Sequence, residues 1–287
     1  MVERNTMSLG QDSMEVSPVG VQSALPKEIP GNFEIRPYRP DEAPKIYEML
    51  EMPNWAPWLR AAPETLAKRA EIFPQGQIAV WDSNRPAASI SLNRFNFDGD
   101  PELLPTWDQL AGDPSTYEKT FIPDGNAVAM MSINVHPDYQ GKGLTQTIIR
   151  AVKVLKPQIG IEHVMGSFRP NQFGEYSHEK PYAHFTSYVH SKDQKGLPRD
   201  AWLRALHRNG MVQLRIDDAA MVVPDVPREE FDNYRATYNP DKWKQTAPNV
   251  WRCGETGVWV AGERTAAYIE SNVWGILEEG MINGNSE

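Results

Sequence analysis

The sequence predicts an α/β (α+β) fold in which helices flank a mixed central sheet. Three observations carry that expectation. Strand-like and helix-like apolar patterns alternate from Asn32 to Ile216. An apolar run, NAVAMMSINV at 126–135, feeds through a proline- and glycine-bearing loop into the amphipathic stretch LTQTIIRAVKVLK. Finally, 287 residues with 40% hydrophobic content are enough for one large core or two modest ones, and no internal repeat divides them.

The first thirty residues are acidic and Ser-containing, lack the apolar centre of a signal peptide, and are expected to be a flexible leader. A single domain over 31–280 follows. Phe33, Ile35 and Pro37 alternate with polar residues and predict a strand over 33–38; Ile46, Met49 and Leu50 then recur at helical spacing behind Asp41. PETLAKRAEIF gives a second helix, with Pro63 in its first turn and a stop at Phe73 before Pro74 and Gly76. Strands at 77–81 and 87–95 flank a turn signal and read as a hairpin. Residues 97–125, rich in Pro, Gly and Asp with weak periodicity, read as a long surface insertion.

The run 126–135 is too short, and too closely followed by Pro137, to be a helix, so it is assigned as a buried strand. Leu144, Ile148, Val152 and Leu155 form one apolar stripe, predicting a helix that stops before Pro157. A strand at 161–168 precedes a second, loop-like insertion over 169–198. RDAWLRALHRNG gives a helix over 199–209 stopped by Gly210, and 211–216 a further strand. Residues 217–280 form a C-terminal extension with a polar helix over 228–238 and strands near 258–261 and 266–269.

With 38 acidic against 29 basic residues, a formal charge of -9 and no long basic run, nucleic acid and anionic membrane are not expected as partners. No apolar stretch approaches the ~20 residues that span a bilayer. The single cysteine, Cys253, excludes an intrachain disulfide, and the cytoplasm is the expected compartment.

The chemistry is expected at HPDYQGKGL, residues 136–144. A strand that enters a helix through a glycine turn presents unpaired backbone N–H groups and the positive end of the helix dipole, which suits an anion. Gly141 and Gly143 allow close approach of a phosphate, while Gln140 or Lys142 adds a side-chain donor. The spacing matches neither GxxxxGK[ST] nor GxGxxG, which argues against nucleoside triphosphates and nicotinamide cofactors.

The run Val135, His136, Pro137, Asp138, Tyr139, Gln140, Gly141, Lys142, Gly143, Leu144, Thr145 resembles motif A of the GNAT superfamily of N-acetyltransferases. There a strand ending Val-x-Pro is followed by Gln/Arg-x-x-Gly-x-Gly/Ala at the start of a helix; only Thr145 departs from the pattern. The resemblance implies the GNAT fold, whose two central parallel strands, here 126–135 and 161–168, splay apart to admit an acyl-thioester. It implies that Gln140, Gly141, Lys142, Gly143, Leu144 and Thr145 hold the pyrophosphate of acetyl-CoA or another acyl-CoA, that the backbone of Ile133, Asn134 and Val135 pairs with the pantetheine arm, and that no metal takes part.

In that family the proton donor is often a tyrosine four residues before the glycine that closes the helix. Here the slot holds Leu206, with His207 beside it and Arg204 two positions before it. FRPN at 168–171, GLPRDAWLR at 196–204 and YIESNVW at 268–274 are similar to the GNAT-like loading domains of polyketide assembly lines. That group decarboxylates malonyl-CoA or methylmalonyl-CoA, and some members pass the acyl group to an acyl carrier protein thiol. The likeness would place a histidine at the Leu206 slot and a threonine near Asn171, so Asn171, Arg204 and His207 are the catalytic candidates. Trp55 and Trp58 are candidates for the acyl pocket, although packing explains them as well.

Other residues fit ordinary roles. His178, His184 and His190 lack nearby acidic ligands, and a zinc site is not expected. Glu102, Asp108 and Asp113 would suit a cationic amine, but a solvated acidic loop is the expected account. Cys253 has no evident histidine partner. The functional expectation is an acyl-CoA-dependent acyltransferase acting on an amine or thiol. Its alternatives are a malonyl- or methylmalonyl-CoA decarboxylase that loads a carrier protein, and an inactive CoA-binding module.

Overall fold

A hairpin and two strand–helix units set the centre of the molecule. The structure, a computed structural model, describes residues 33–180 and 183–278, so the leader expected over 1–30 lies outside the described residues. β1 (Phe33–Pro37) leads into a helical run, α1 (residues 43–54), that opens with Ala43–Ile46, passes through a π-helical turn at Tyr47–Glu51 and ends with Met52–Asn54. α2 (Pro63–Ile72) starts with its proline at the first helical position, where the missing N–H costs nothing. β2 (Gln77–Asp82) and β3 (Arg85–Phe95) form the expected hairpin, and β4 (Ala127–Val135) adds antiparallel to β3.

α3 (Trp107–Ala111) lies in the insertion before β4, and α4 (Leu144–Gln158) follows the glycine loop. α4 buries Leu144, Ile148, Val152 and Leu155 on the sheet against Ile35, Val80, Ile90 and Val128. Each such side chain contributes about 1.5–3 kcal/mol. The helix runs one residue past Pro157, which is tolerated because a proline in the last turn forfeits a single backbone bond.

β5 (His163–Phe168) pairs in parallel with β4, from Ala127 with His163 to Met130 with Gly166. α5 (Phe173–Glu179), α6 (Phe185–Val189) and α7 (Ala201–Arg208) precede β6 (Met211–Pro227). α8 (Arg228–Thr237), β7 (Lys244–Ala247), β8 (Val250–Arg252), β9 (Val258–Ala261) and β10 (Thr265–Leu277) complete the chain. The sheet order is β1-β2-β3-β4-β5-β10-β9-β8-β7, with β6 on the other edge of β10.

Several boundaries differ from the sequence expectation. The strand expected to end at Ile216 continues to Pro227, into the segment expected as the C-terminal extension. Its partner, expected only near 266–269, spans Thr265–Leu277. Asp217, Asp218 and Pro224 interrupt the apolar alternation, and the pairing with β10 overrides them. The insertion 97–125 is partly core: Leu104, Leu110 and Tyr117 are buried with Phe95 and Trp274. The segment 169–198 holds two short helices pinned by aromatic contacts, with the rings of Phe173 and Phe185 5.0 Å apart, and by Asp200. That buried carboxylate accepts from Trp202 N and Leu203 N at the start of α7, and from Gln172 N and Tyr188 Oη.

Gly174 lies where α5 meets the β8–β9 connection. A Cβ there would overlap the Gly254 carbonyl oxygen and the Glu255 carbonyl, both backbone groups that cannot swing aside. Gly174→Ala should therefore destabilise the fold by about 3 kcal/mol, read as a lower urea midpoint.

Candidate functional site

The glycine corner is open and uncapped. A 3-10 turn, Pro137–Tyr139, follows β4; Gly141 and Gly143 then take left-handed backbone angles, φ 74° and 79°, at which a side chain is strained. A Cβ on Gly141 would meet nothing within 4 Å, so the backbone faces open space. No side chain caps the first turn of α4. Lys142 lies over the Tyr139 ring at 5.0 Å, and the acid of the turn, Asp138, is engaged by Arg85 at 2.6 Å. A surface depression of about 830 Å³ runs past Gln140, Lys142, Gly143, Thr145 and Arg150.

The depression adjoins a second, deeper space. Val135, Gln140 and Thr145 also line a cavity of about 600 Å³, which lies where β4 and β5 part company. Beyond Met130 and Gly166 the two strands no longer pair, and Met131 to Val135 face Ser167 and Phe168 across the gap. On one wall, Trp55 Nε1 donates to Asn134 Oδ1 at 2.6 Å, and Asn134 Nδ2 donates to Glu51 Oε1 at 2.7 Å. The other Glu51 oxygen accepts from Ala61 N at 3.3 Å. Glu51 belongs to the π-helical turn and is only 3% exposed; burial pushes its carboxyl above the usual range, against the pull of the Arg69 charge and the Asn134 hydrogen bond.

Beside Trp55 lies Arg169, whose guanidinium stacks over the Trp55 ring at 4.4 Å and pairs with Glu270 at 3.2 Å. Glu270 also accepts from Tyr268 Oη at 2.8 Å. Asp108 enters from the first turn of α3, which Thr106 caps, and accepts from Val222 N at 2.6 Å. Burial pushes its carboxyl up to about 6; the charges of Glu270 and Asp217 push the same way, and the Val222 hydrogen bond opposes them. A cleft with unpaired strand backbone at its centre and a carboxyl of this kind on its wall can hold a polarised carbonyl and exchange a proton beside it.

The order of strands, the parting of β4 from β5 and the open glycine corner between them decide the architecture. The chain has the GNAT fold. Among solved structures it is similar to the loading GNATL domain of CurA from Lyngbya majuscula, with a TM-score of 0.56 and 20% identity over 65% of this chain and 87% of that one. It is likewise similar to the GphF GNAT-like decarboxylase in complex with isobutyryl-CoA, with a TM-score of 0.55 and 21% identity over 66% of this chain and 90% of that one. No family model matches the chain, and no curated protein does.

Within the GNAT frame, Gln140 to Thr145 gather at one corner, and Ile133, Asn134, Val135, Trp55 and Trp58 line the cavity. The Trp58 ring also packs 5.2 Å from Trp259 and 5.0 Å from Tyr238, tying the wall to the C-terminal strands. Asn171 is exposed at the cavity margin. Arg204 instead donates to the carbonyls of Pro198 and Arg199, at 2.8 and 2.9 Å. His207 is exposed on α7 outside the cavity, and Leu206 is buried in the main core, so the family's donor slot points away from the cleft.

Asp108 is a correction to the solvated loop expected for it; Glu102 and Asp113 are exposed as expected. Nothing in the sequence marked Glu51 or Arg69, and Asp108 stood out only as one acid of a loop, because long-range packing alone brings them to the cavity; Glu270 lay within the YIESNVW stretch but carried no periodic signal. No cluster of three or more His, Cys, Asp or Glu among the described residues is placed to hold a metal. No helix among them is long and apolar enough to cross a membrane. Burial pushes the Cys253 thiol up to about 12, leaving little thiolate.

Asp108 gives a signature in stability. Its folded pKa, about 6, lies above its ordinary 3.8, so its ionisation opposes folding, and stability is lost as pH rises from about 4 through 6. Asp108→Asn removes that loss and keeps an acceptor for Val222 N. The melting temperature of the variant should gain on the parent between pH 4 and pH 7, measured by calorimetry.

Proposed function

We propose that the chain is an acyl-CoA-dependent acyltransferase that moves an acyl group from acetyl-CoA or a related thioester to an amine or thiol. The observation that carries this reading is the open glycine corner, which shares Val135, Gln140 and Thr145 with the cavity between β4 and β5. Backbone N–H groups of residues 141–146 and Lys142 suit the pyrophosphate, and the unpaired edge of Ile133 to Val135 suits the amide-bearing pantetheine arm. The thioester carbonyl then lies in the splay. The acceptor, on the side of Trp55 and Asp108, attacks that carbonyl and gives its proton to the Asp108 carboxylate; the C–S bond breaks and CoA leaves as a thiolate that water protonates. The arrangement needs no covalent enzyme intermediate.

Decarboxylation of a malonyl-type thioester, with delivery to an acyl carrier protein, is the second reading. It is favoured by Asn171 and Trp202, which come from the stretches that resemble polyketide loading domains and both line the cavity. Its proton donor would not be the Leu206 slot.

Incubation with acetyl-CoA, malonyl-CoA and methylmalonyl-CoA, with amines or a holo carrier protein, separates the readings by mass. Acyl-acceptor product supports the first, CO2 loss the second, and CoA retained with its thioester intact would reduce the protein to a binding module. Gly143→Asp places a negative side chain at the corner and should weaken CoA binding at least 100-fold by calorimetry, while the fold survives in circular dichroism. Unaltered affinity would remove the site from this corner. For the chemistry, kcat/KM should fall as pH drops below about 6, since the base must be ionised. Asp108→Asn should lose about 10²- to 10⁴-fold in kcat, whereas His207→Ala should turn over like the parent.

A further inference from the structure

Arg69 stands out among the charged groups of the cavity. It is 2% exposed on α2, yet it lines the cavity together with Ser115 and Glu51. A guanidinium has five N–H donors. One of them, at Nε, donates to the Ser115 carbonyl at 2.8 Å, and the plane of the group lies over the Tyr117 ring at 4.4 Å. Tyr117 is itself fixed by a hydrogen bond of 2.8 Å to Ser91 Oγ on β3, so the fork is held rigidly from behind. Among the described residues, the four donors on Nη1 and Nη2 form no hydrogen bond with the protein, and no carboxylate lies within 4.0 Å.

Glu51 acts on Arg69 only through the longer-range field. Its two carboxylate oxygens are taken by Asn134 Nδ2 and Ala61 N. The other cavity cations are occupied: Arg169 by Glu270 and Glu255, and Arg60 by the carbonyls of Trp55 and Met52. A buried guanidinium with an empty fork is costly unless something anionic completes it. A carboxylate fits that fork in shape and charge, with two parallel N–H···O bonds.

We propose that the Arg69 end of the cavity recognises a substrate carboxylate. The inference rests on the reading of this cavity as the acyl-transfer site. The carboxylate belongs either to the acyl chain of the donor, as in a dicarboxylic acyl-CoA, or to the acceptor, as in an amino acid.

Three measurements test it. Calorimetry first establishes CoA affinity in the parent, in Arg69→Gln and in Arg69→Lys, which keeps the charge without the fork. Malonyl-CoA and succinyl-CoA are then compared with their terminal carboxamides as ligands. Finally, amino acids are compared with their amides as acceptors of the acetyl group, by thiol release. One of the two series should favour the carboxylate about ten- to a hundredfold in the parent, as expected for a charge-assisted pair. The preference should collapse in both variants while CoA affinity is unchanged. A donor-series preference assigns the carboxylate to the acyl chain, and an acceptor-series preference assigns it to the acceptor. If the parent binds CoA but neither series distinguishes acid from amide, or if the preference survives in both variants, the inference fails and the acyl-transfer reading stands. If the parent binds no CoA, the reading itself falls and takes the inference with it.

Discussion

The end of the β4–β5 ladder is the constraint on which the molecule turns. A parallel pair normally continues until a strand runs out, yet here pairing stops at Met130 and Gly166 while β4 still has five residues to run. Those residues remain held on their far side by β3, from Val135 against Ala88 to Ser132 against Ser91. β5 is held on its far side by β10, from Phe168 against Val273 to Met165 against Ile276. The two strands are therefore drawn apart by neighbours that are each well paired, and the gap is a fixed part of the sheet. Everything that converges on it, from the Trp55–Asn134–Glu51 chain to Asp108 and Arg69, uses the backbone edge and the volume that this parting creates.

The walls of the gap come from distant parts of the sequence and are mutually braced. α1 contributes Glu51, α2 contributes Arg69, the insertion before β4 contributes Asp108, and β10 contributes Glu270. Trp107 Nε1 donates to the Met131 carbonyl at 2.9 Å, and Val222 N donates to Asp108, so the insertion is bonded both to the parting strand and to β6. The charges in the cavity follow the same logic: Arg169 and Glu270 pair beside the Trp55 ring, while Asp108 and Arg69 have no ion-pair partner within 4.0 Å among the described residues.

How much of this was legible in the sequence depended on whether the signal was local. The glycine corner could be read because left-handed backbone, strand end and helix stripe all fall within thirty residues, and α4 carries its periodicity in full view. The cavity walls could not. Asp108 sits in an insertion whose composition is that of a solvated loop; its half-burial depends on β6, more than a hundred residues away. Glu51 is buried through a π-helical turn that no apolar spacing announces. His207 illustrates the converse: its proximity to the family's donor slot was real in sequence, but one step along a helix moves a side chain by roughly 100°, from the buried face of Leu206 to solvent. β6 and β10 were underestimated because their polar residues break the alternation, while each finds its partner across the whole length of the ladder.

β10 has a further consequence, for the order in which the molecule can assemble. It is the last strand in the described chain, yet it lies beside β5 and β6 and reaches β9 as well. During synthesis β5, which ends at Phe168, and β6, which ends at Pro227, both emerge before the segment that joins them, so each waits with an unsatisfied ladder edge until Thr265–Leu277 has left the ribosome. A half-made chain thus displays unpaired strand edges, the kind of surface that other chains can pair with.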